Sequence, residues 1–367
     1  MKKSILFLSM AALTFASCSS DDNNPAATVP VEEVPGEGGI LTPATGGPNQ
    51  GNQVYIDLST GISTPVRRDS WDFGFASGNE FRVILNGSIK MAVKQLQTTN
   101  IDEVQAEDAS VNVSTSTSSI LGYVDNPTGV LAGNGGGQGT AIAEISSNDA
   151  DNKVYLVNMG HKVGTATPNP GSEASTGDPR GWKKVRILRN GSNGYKIQYA
   201  DLNATTHQEQ VITKDPAHNF TFFSLGTQNT VAVEPTKDKW DINFTTFTNY
   251  FPFGEGTFVT YYFADFVTHN IHGGTRVYQV LNTEHNYESF TLDNVVDANF
   301  ASSSVDQRII GSSWRNGGGP SSGPSIKDDR FYIVKDAGGN MYKLKFLALT
   351  NDAGERGYPA FDYKLLK

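Results

Sequence analysis

A short aromatic motif occurs twice in this 367-residue chain: residues 71–75 read Trp-Asp-Phe-Gly-Phe and residues 240–244 read Trp-Asp-Ile-Asn-Phe. The sequence around the two motifs also recurs in the same order. Val-Tyr-Ile-Asp-Leu-Ser at 54–59 precedes the first copy, and Thr-Phe-Phe-Ser-Leu at 221–225 precedes the second. Downstream, the segments at 154–157 and 182–188 are echoed at 331–334 and 342–347. Repeated blocks in a fixed order indicate two copies of one structural unit.

The pattern inside the blocks predicts an all-β protein. Polar and apolar residues alternate over 183–188, 195–199 and 342–347, and turn-forming residues such as Asn190-Gly191 follow the runs. Period-two alternation bounded by turns is typical of antiparallel strands. We therefore expect two tandem antiparallel β domains, 49–214 and 216–367, joined near Asp215-Pro216, each able to fold alone. Trp71 and Trp240 are expected in the domain cores, with ligand contact as the alternative.

The first residues predict export and lipid anchoring. Two lysines precede an apolar stretch that ends at Ser17-Cys18, which makes 1–18 a lipoprotein signal peptide with a lipobox and Cys18 the diacylated residue. Cys18 is the only cysteine, so no intrachain disulfide is possible. Residues 19–48 are rich in Pro and Gly and predict a flexible tether. The stretch 19–24, Ser-Ser-Asp-Asp-Asn-Asn, resembles the acidic export tags that send such lipoproteins to the outer face of the cell.

Composition argues against several classes of function. The net charge is −9 and there is no block of Lys or Arg, which does not favour nucleic-acid binding. The sequence has no GxSxG, HExxH or CxxC motif. Its six histidines are too scattered for a zinc site by spacing. We therefore expect a binding protein and no enzyme.

The aromatic-Phe-Ser-Leu element, the WDxxF motif and the closing hairpin together resemble the HmuY family of haem-binding surface lipoproteins. The resemblance covers both halves and is stronger in the second. It implies an all-β fold that binds haem or a related porphyrin and delivers it to an outer-membrane transporter. Haem-binding members carry an axial ligand directly after WDxxF; here those positions are Ala76 and Thr245, which cannot ligate iron.

The resemblance directs attention to the region downstream of WDINF, which forms part of the family's porphyrin pocket. His272, or failing that His269, is the candidate haem ligand, because a neutral imidazole suits haem iron. The alternative is a surface histidine at a hairpin end. The first repeat has no histidine in the matching stretch, which leaves Met91 and Met159 as thioether candidates there. No metal other than haem iron is expected.

The second repeat also carries an aromatic segment, 250–266, with a predicted hairpin tip at Gly254–Gly256. Tyr250, Phe251 and Tyr261 are candidate pocket residues beside the porphyrin. The segment has more aromatic residues than one core face can hold, so it forms either a second packing layer or a ligand-facing surface. Two other functions stay open: a nutrient- or glycan-binding lipoprotein that uses this hairpin, and a structural surface protein without a haem site.

Overall fold

The computed structural model describes residues 36–116, 121–133, 137–318 and 322–367. The described chain is built from antiparallel strands, and its helices are short 3₁₀ turns, so the all-β prediction is confirmed. The strands of the N-terminal part are β1 (Gly38–Leu41), β2 (Asn52–Asp57), β3 (Ile62–Arg67), β4 (Phe73–Ala76), β5 (Val83–Leu85), β6 (Ala92–Gln95), β7 (Val154–Asn158), β8 (His161–Val163), β9 (Thr176–Pro179), β10 (Trp182–Arg189), β11 (Gly194–Asp201) and β12 (Gln208–Thr213).

The C-terminal part has fewer but longer strands. They are β13 (Phe220–Ser224), β14 (Asn229–Val231), β15 (Ile242–Pro252), β16 (Phe258–His269), β17 (Arg276–Leu281), β18 (Arg315–Asn316), β19 (Ser325–Ile326), β20 (Arg330–Lys335), β21 (Met341–Thr350) and β22 (Arg356–Leu365). The 3₁₀ helices are Gly47–Asn49, Gly87–Ile89, Ile101–Glu103, Leu121–Tyr123, Leu292–Asn294 and Asp297–Ser304.

Each repeat supplies most of one five-stranded sheet, and the sheet of the second repeat also contains β1 from the N-terminal part. The first-repeat sheet has the order β12-β11-β10-β7-β6, and the second has β1-β22-β21-β20-β17. The repeated sequence blocks form equivalent strands in the two sheets. β7 pairs with β10 in the first sheet, and β20 pairs with β21 in the second. The inward faces of these sheets pack into two hydrophobic cores, and each core also contains residues of the other repeat: Phe223 and Leu225 in the first, and Val54, Ile56 and Leu58 in the second.

Two four-stranded sheets combine strands from both repeats. β13 of the second repeat pairs with β4 of the first, and β2 of the first repeat pairs with β15 of the second. The sheet orders are therefore β14-β13-β4-β5 and β16-β15-β2-β3. The repeats exchange their first hairpins within one chain. In each case the exchanged strand lies against the WDxxF strand of the other copy.

The exchange bears on the expected domain organisation. The link near Asp215-Pro216 does lie between strands, after β12 and before β13. However, the described chain from residue 36 onward forms one compact unit. Independent folding of 49–214 and 216–367 stays a prediction, and the exchanged hairpins argue against it.

The tether was predicted to extend to residue 48, and for its described part this is wrong. Residues 38–41 form strand β1, which pairs with β22 from Gly38↔Lys364 to Leu41↔Phe361. Gly38 permits this close approach, since a Cβ there would lie 2.1 Å from the carbonyl oxygen of Tyr363. Glycine therefore serves here as a strand-packing residue rather than a sign of flexibility. Residues 19–35 lie outside the described residues.

The hairpin predicted with its tip at Gly254–Gly256 is confirmed. β15 and β16 pair from Ile242↔His269 out to Pro252↔Phe258, with one register shift between Thr245 and Phe247. The inner end of this hairpin belongs to the shared sheet, while its outer end extends beyond β2. The same two strands thus connect the WDxxF motif with the aromatic segment.

Candidate functional site

The aspartate of each WDxxF motif fixes the exchanged hairpin of the other repeat. The backbone N–H of Leu225 donates to Asp72 Oδ2 at 2.7 Å, and that of Leu58 donates to Asp241 Oδ2 at 2.9 Å. Both aspartates are buried. Because the two contacts are equivalent, the motif is a device for holding strand against strand across the repeats.

The two motif tryptophans meet in one aromatic cluster between the repeats. Trp71 packs edge-on against Phe222 with ring centroids 4.8 Å apart, and Trp240 packs edge-on against Tyr55 at 5.0 Å. In each pair the partner ring comes from the other repeat. Their side chains are therefore core residues, but of a shared core.

An asparagine after the next strand completes each motif. Asn86 Nδ2 donates to the carbonyl oxygen of Trp71 at 2.8 Å, and Asn270 Nδ2 donates to that of Trp240 at 3.0 Å. Sequence reasoning missed both residues. The spacing from tryptophan to asparagine differs between the copies because the β15–β16 hairpin is much longer than β4–β5, so no fixed-distance signal exists.

A cavity of about 150 Å³ lies beside this cluster, and both repeats line it. Its aromatic lining is Tyr55, Trp71, Phe220, Phe222, Trp240 and Phe247. Ligand pockets usually measure about 300–1,000 Å³, so this cavity is small in the present conformation.

The segment 124–131 of the first repeat lines part of the cavity and is held by the second repeat. The backbone N–H of Gln307 donates to the carbonyl oxygen of Thr128 at 2.9 Å. His272 Nε2 lies 3.1 Å from the carbonyl oxygen of Gly129, and its ring packs edge-on against Phe220 at 5.5 Å. The structure thus places His272, the preferred haem-ligand candidate, at the exposed rim of the cavity.

His269 also belongs to the segment that borders the cavity, but its side chain lies on the other face of the strand. The cross-strand pair Asn243↔Thr268 faces the cavity, so the next pair, Ile242↔His269, faces the second-repeat core. His269 Nε2 donates to the carbonyl oxygen of Ser303 at 2.9 Å. Burial lowers the pKa of His269 to about 4, which keeps the ring neutral.

The other ligand candidates divide between the cavity and the cores. Thr245, the position after the second WDxxF motif, lines the cavity, whereas Ala76 is buried in the aromatic cluster. Met91 is fully buried and also lines the cavity. Met159 is packed in the core of the first repeat. Of the predicted ligand candidates, His272, His269 and Met91 line the cavity, and the ring of His269 is hydrogen-bonded to Ser303.

The aromatic candidates of the hairpin lie away from the cavity. Tyr250 donates from its hydroxyl to the carbonyl oxygen of Leu121 at 3.3 Å. The rings of Phe251 and Tyr261 pack against each other with their centroids 5.5 Å apart, and the two residues are 43% and 41% exposed. None of the three contributes to the cavity lining, and Phe251 and Tyr261 instead form an exposed aromatic surface.

Two carboxyl groups border the cavity. Glu234 accepts from the backbone N–H groups of Asn219 and Phe220 at 2.8 and 2.9 Å, and Asp125 accepts from that of Leu85 at 2.6 Å. Burial raises the pKa of Glu234 to about 8 and that of Asp125 to about 7. Among the described residues, the cavity lining contains no Lys or Arg to offset a negative charge.

Three features outside the cavity also bear on function: the lipidation site, membrane-spanning helices and metal sites. Cys18, the predicted lipidation site, lies outside the described residues. In the described ranges, no helix has the length and apolar character needed to cross a membrane. The same ranges contain no group of three or more His, Cys, Asp or Glu side chains placed to hold a metal ion.

The fold and the cavity define a class of protein: a β-sheet protein with two repeats and an internal, aromatic-lined cavity between them. The model of the HmuY family, described as "HmuY protein", matches residues 49–213 and 217–363. These two segments make up most of the chain, which therefore belongs to the HmuY family as a tandem of two family units.

Solved structures similar to the chain include an apo HmuY analog from Tannerella forsythia, at 9% identity and a TM-score of 0.24, with 90% of this chain and 96% of that chain covered. A lipoprotein from Bacteroides fragilis NCTC 9343 has 14% identity and a TM-score of 0.21, with 48% and 92% covered. Apo PinO from Porphyromonas gingivitis has 17% identity and a TM-score of 0.17, with 50% and 97% covered. No curated protein matches the chain.

Proposed function

We propose that this protein is a surface-anchored lipoprotein that binds haem or a related porphyrin and passes it to an outer-membrane transporter. Family membership supports binding of this type. The observation that carries the proposal is the cavity at which the two WDxxF motifs meet, because aromatic walls suit a flat apolar macrocycle. Binding and transfer, rather than catalysis, is the function assigned.

The residues present fit a porphyrin only after a local opening. The cavity is smaller than a ligand pocket usually is, so its lining, which includes the segment 124–131, must move for a macrocycle to enter. His272 Nε2 must release the carbonyl oxygen of Gly129 before it can face an iron atom. Thr245 borders the same space but offers no nitrogen or sulfur. His272 is the proposed axial ligand, with Met91 as the thioether on the first-repeat side.

Hemin titration followed in the Soret region tests the proposal. The wild type should give a saturable, red-shifted band, and His272→Ala should lose that shift and bind at least about tenfold more weakly, a change of about 1.4 kcal/mol. His285→Ala is the matched control, since His285 is exposed and does not line the cavity. His269→Ala should change stability rather than the spectrum. A His272→Ala titration identical to that of the wild type would remove His272 from the site.

A second candidate function rests on the β15–β16 hairpin. Phe251, Phe253, Phe258 and Tyr261 are each at least two-fifths exposed. Exposed aromatic clusters mark interaction sites, and carbohydrate rings stack on such surfaces. Binding on a glycan array that disappears in a Phe251→Ser/Tyr261→Ser variant, with hemin binding unchanged, would support this function. No glycan binding by the wild type would exclude it.

We propose that Cys18 anchors the protein at the outer membrane, facing the exterior. Stable anchoring requires more than one acyl chain, because a single chain gives only weak, reversible binding. Cys18→Ser should therefore release the protein from the membrane pellet in detergent-free fractionation. Protease treatment of intact cells reports the face on which the domains lie. A Cys18→Ser variant that still sediments with membranes would contradict the lipobox assignment.

A further inference from the structure

The repeats can be compared position by position through their shared contacts. Leu58 and Leu225 make equivalent hydrogen bonds to the motif aspartates, so Gln53 and Phe220, five residues earlier, are equivalent. Gln53 Oε1 accepts from Trp71 Nε1–H at 2.8 Å. Phe220 cannot accept a hydrogen bond. As a result, Trp240 Nε1–H has no partner among the described residues, although the side chain is buried.

A second difference lies on the motif strand itself. Gly74 faces Ile84, and a Cβ at Gly74 would lie 2.7 Å from Ile84 Cγ1, so this space is filled in the first repeat. The equivalent pair in the second repeat is Asn243 and Thr268. Asn243 is 6% exposed, and within the described parts of the chain its Oδ1 has no hydrogen-bonding partner.

Both unpartnered atoms belong to residues that line the same cavity. Leaving one buried polar atom unpaired costs about 1–3 kcal/mol, so two on one wall are a considerable cost to the folded protein. Trp240 supplies a donor and Asn243 Oδ1 supplies an acceptor. A group that reaches both atoms therefore gains one hydrogen bond of each kind. Neither bond is available at the equivalent first-repeat positions.

The charge of the lining limits what can occupy it. Glu234 and Asp125 border the cavity, and its described lining has no Lys or Arg. An ionised carboxylate without a cation is strongly disfavoured in such an apolar site, and more so beside other carboxyl groups. An anion is therefore excluded, and a protonated amine or guanidinium has no acceptor for the Trp240 N–H, so the group bound at this wall has to be uncharged.

We propose that this cavity wall recognises an uncharged amide-type group, which accepts a hydrogen bond from Trp240 Nε1–H and donates one to Asn243 Oδ1. A carboxamide or a lactam has this pair of functions, and so has a protonated carboxyl. The inference deepens the proposed function. It rests on that function only for the identity of the molecule that carries the amide-type group. Trp240 and Asn243 are then specificity-determining residues of the second repeat.

The test uses the full chain labelled with ¹⁵N-tryptophan and follows its four indole N–H signals by NMR. The probes are benzamide and benzoate, which have the same ring but differ in charge and in donor capacity. At pH 7.5 benzamide should shift the Trp240 signal saturably and leave that of Trp182, which does not line the cavity, in place. Benzoate should shift neither. Trp240→Phe and Asn243→Ala should each weaken benzamide binding about tenfold, whereas Trp182→Phe, at a residue that does not line the cavity, should not.

Two results of the benzamide and benzoate experiment would contradict the inference. A Trp240 signal that benzamide does not move would mean that the wall is occupied by water alone, and an equal response to benzoate would refute charge selection. Either result overturns the inference. Hemin titration of the same sample distinguishes a failure of the amide site from a failure of the proposed porphyrin binding. Benzamide binding without hemin binding would refute the porphyrin proposal and leave the amide site standing, whereas hemin binding without benzamide binding would do the reverse.

Discussion

At the scale of single residues, the two motif aspartates have the same position but different electrostatic surroundings. Arg180 forms an ion pair with Asp72 at 2.7 Å, and the Asp72 side chain is fully buried. Asp241 instead accepts from Thr275 Oγ1 at 3.1 Å, and burial raises its pKa to about 7. The same motif aspartate therefore lies beside an arginine in the first repeat and beside a threonine hydroxyl in the second.

This difference predicts unequal effects of the same substitution. Asp72→Asn should destabilise the protein by about 3 kcal/mol, since it leaves Arg180 partly buried without its carboxylate. Asp241→Asn keeps an acceptor for the Leu58 N–H and should cost less than about 1 kcal/mol at pH 7. Urea unfolding of both variants and the wild type measures the difference. Equal losses would show that the ion pair with Arg180 contributes nothing specific.

At the scale of elements, the exchanged hairpins predict how the halves behave when separated. Residues 49–214 alone lack β13 beside β4 and β15 beside β2, so two strand edges are left unpaired. Each half should therefore melt without cooperativity or self-associate, and mixing the halves should restore one cooperative transition. Circular dichroism melting and size-exclusion chromatography test this. Two monomeric halves with sharp individual transitions would instead confirm autonomous domains.

The sequence predicted which segments form strands better than it predicted which strands pair with each other. Alternation and turn residues indicated strands, the β15–β16 hairpin and the equivalence of the echoed blocks. They could not indicate the exchange, because a repeated pattern shows which strands are alike and not which copy each one pairs with. The Pro- and Gly-rich composition concealed β1 for a similar reason: glycine at Gly38 meets a packing requirement of β22 that lies more than 300 residues away.

The candidate site was predictable in part. His272 was selected for its place beside Gly273-Gly274, and it does border the cavity. The roles of Asn243 and Trp240 were hidden, since their importance depends on what the other repeat has at the equivalent positions. Tyr250, Phe251 and Tyr261 were grouped with the pocket by sequence proximity, but they lie on the outer part of the long β15–β16 hairpin, outside the cavity lining.

At the scale of the whole molecule, buried carboxyl groups predict a loss of stability as the pH rises. The folded pKa values of Glu234, Asp125 and Asp241 are raised, so the folded state binds more protons than the unfolded state. Their contribution is fully present below the unfolded carboxyl pKa values and is lost as the pH rises through about 7 to 8. Each carboxyl group that is protonated in the folded state and ionised in the unfolded state lowers the free energy of unfolding by about 1.4 kcal/mol for each unit by which the pH rises.

Urea unfolding at pH 6.5 and pH 8 measures this dependence in a range where His269 is already neutral in the folded protein. The wild type should be less stable at pH 8. Glu234→Gln, which cannot ionise, should show a smaller difference between the two pH values. Stability that is unchanged or greater at pH 8 would mean that these carboxyl groups ionise without cost.

The central claim is that the two repeats build one shared binding cavity rather than two independent sites. Quantitative hemin titration of the intact, mature chain, with the Soret amplitude plotted against hemin per chain, tests it most directly. A single cavity between the WDxxF motifs predicts saturation at one hemin per chain. Saturation at two, or no saturable binding at all, would contradict the account.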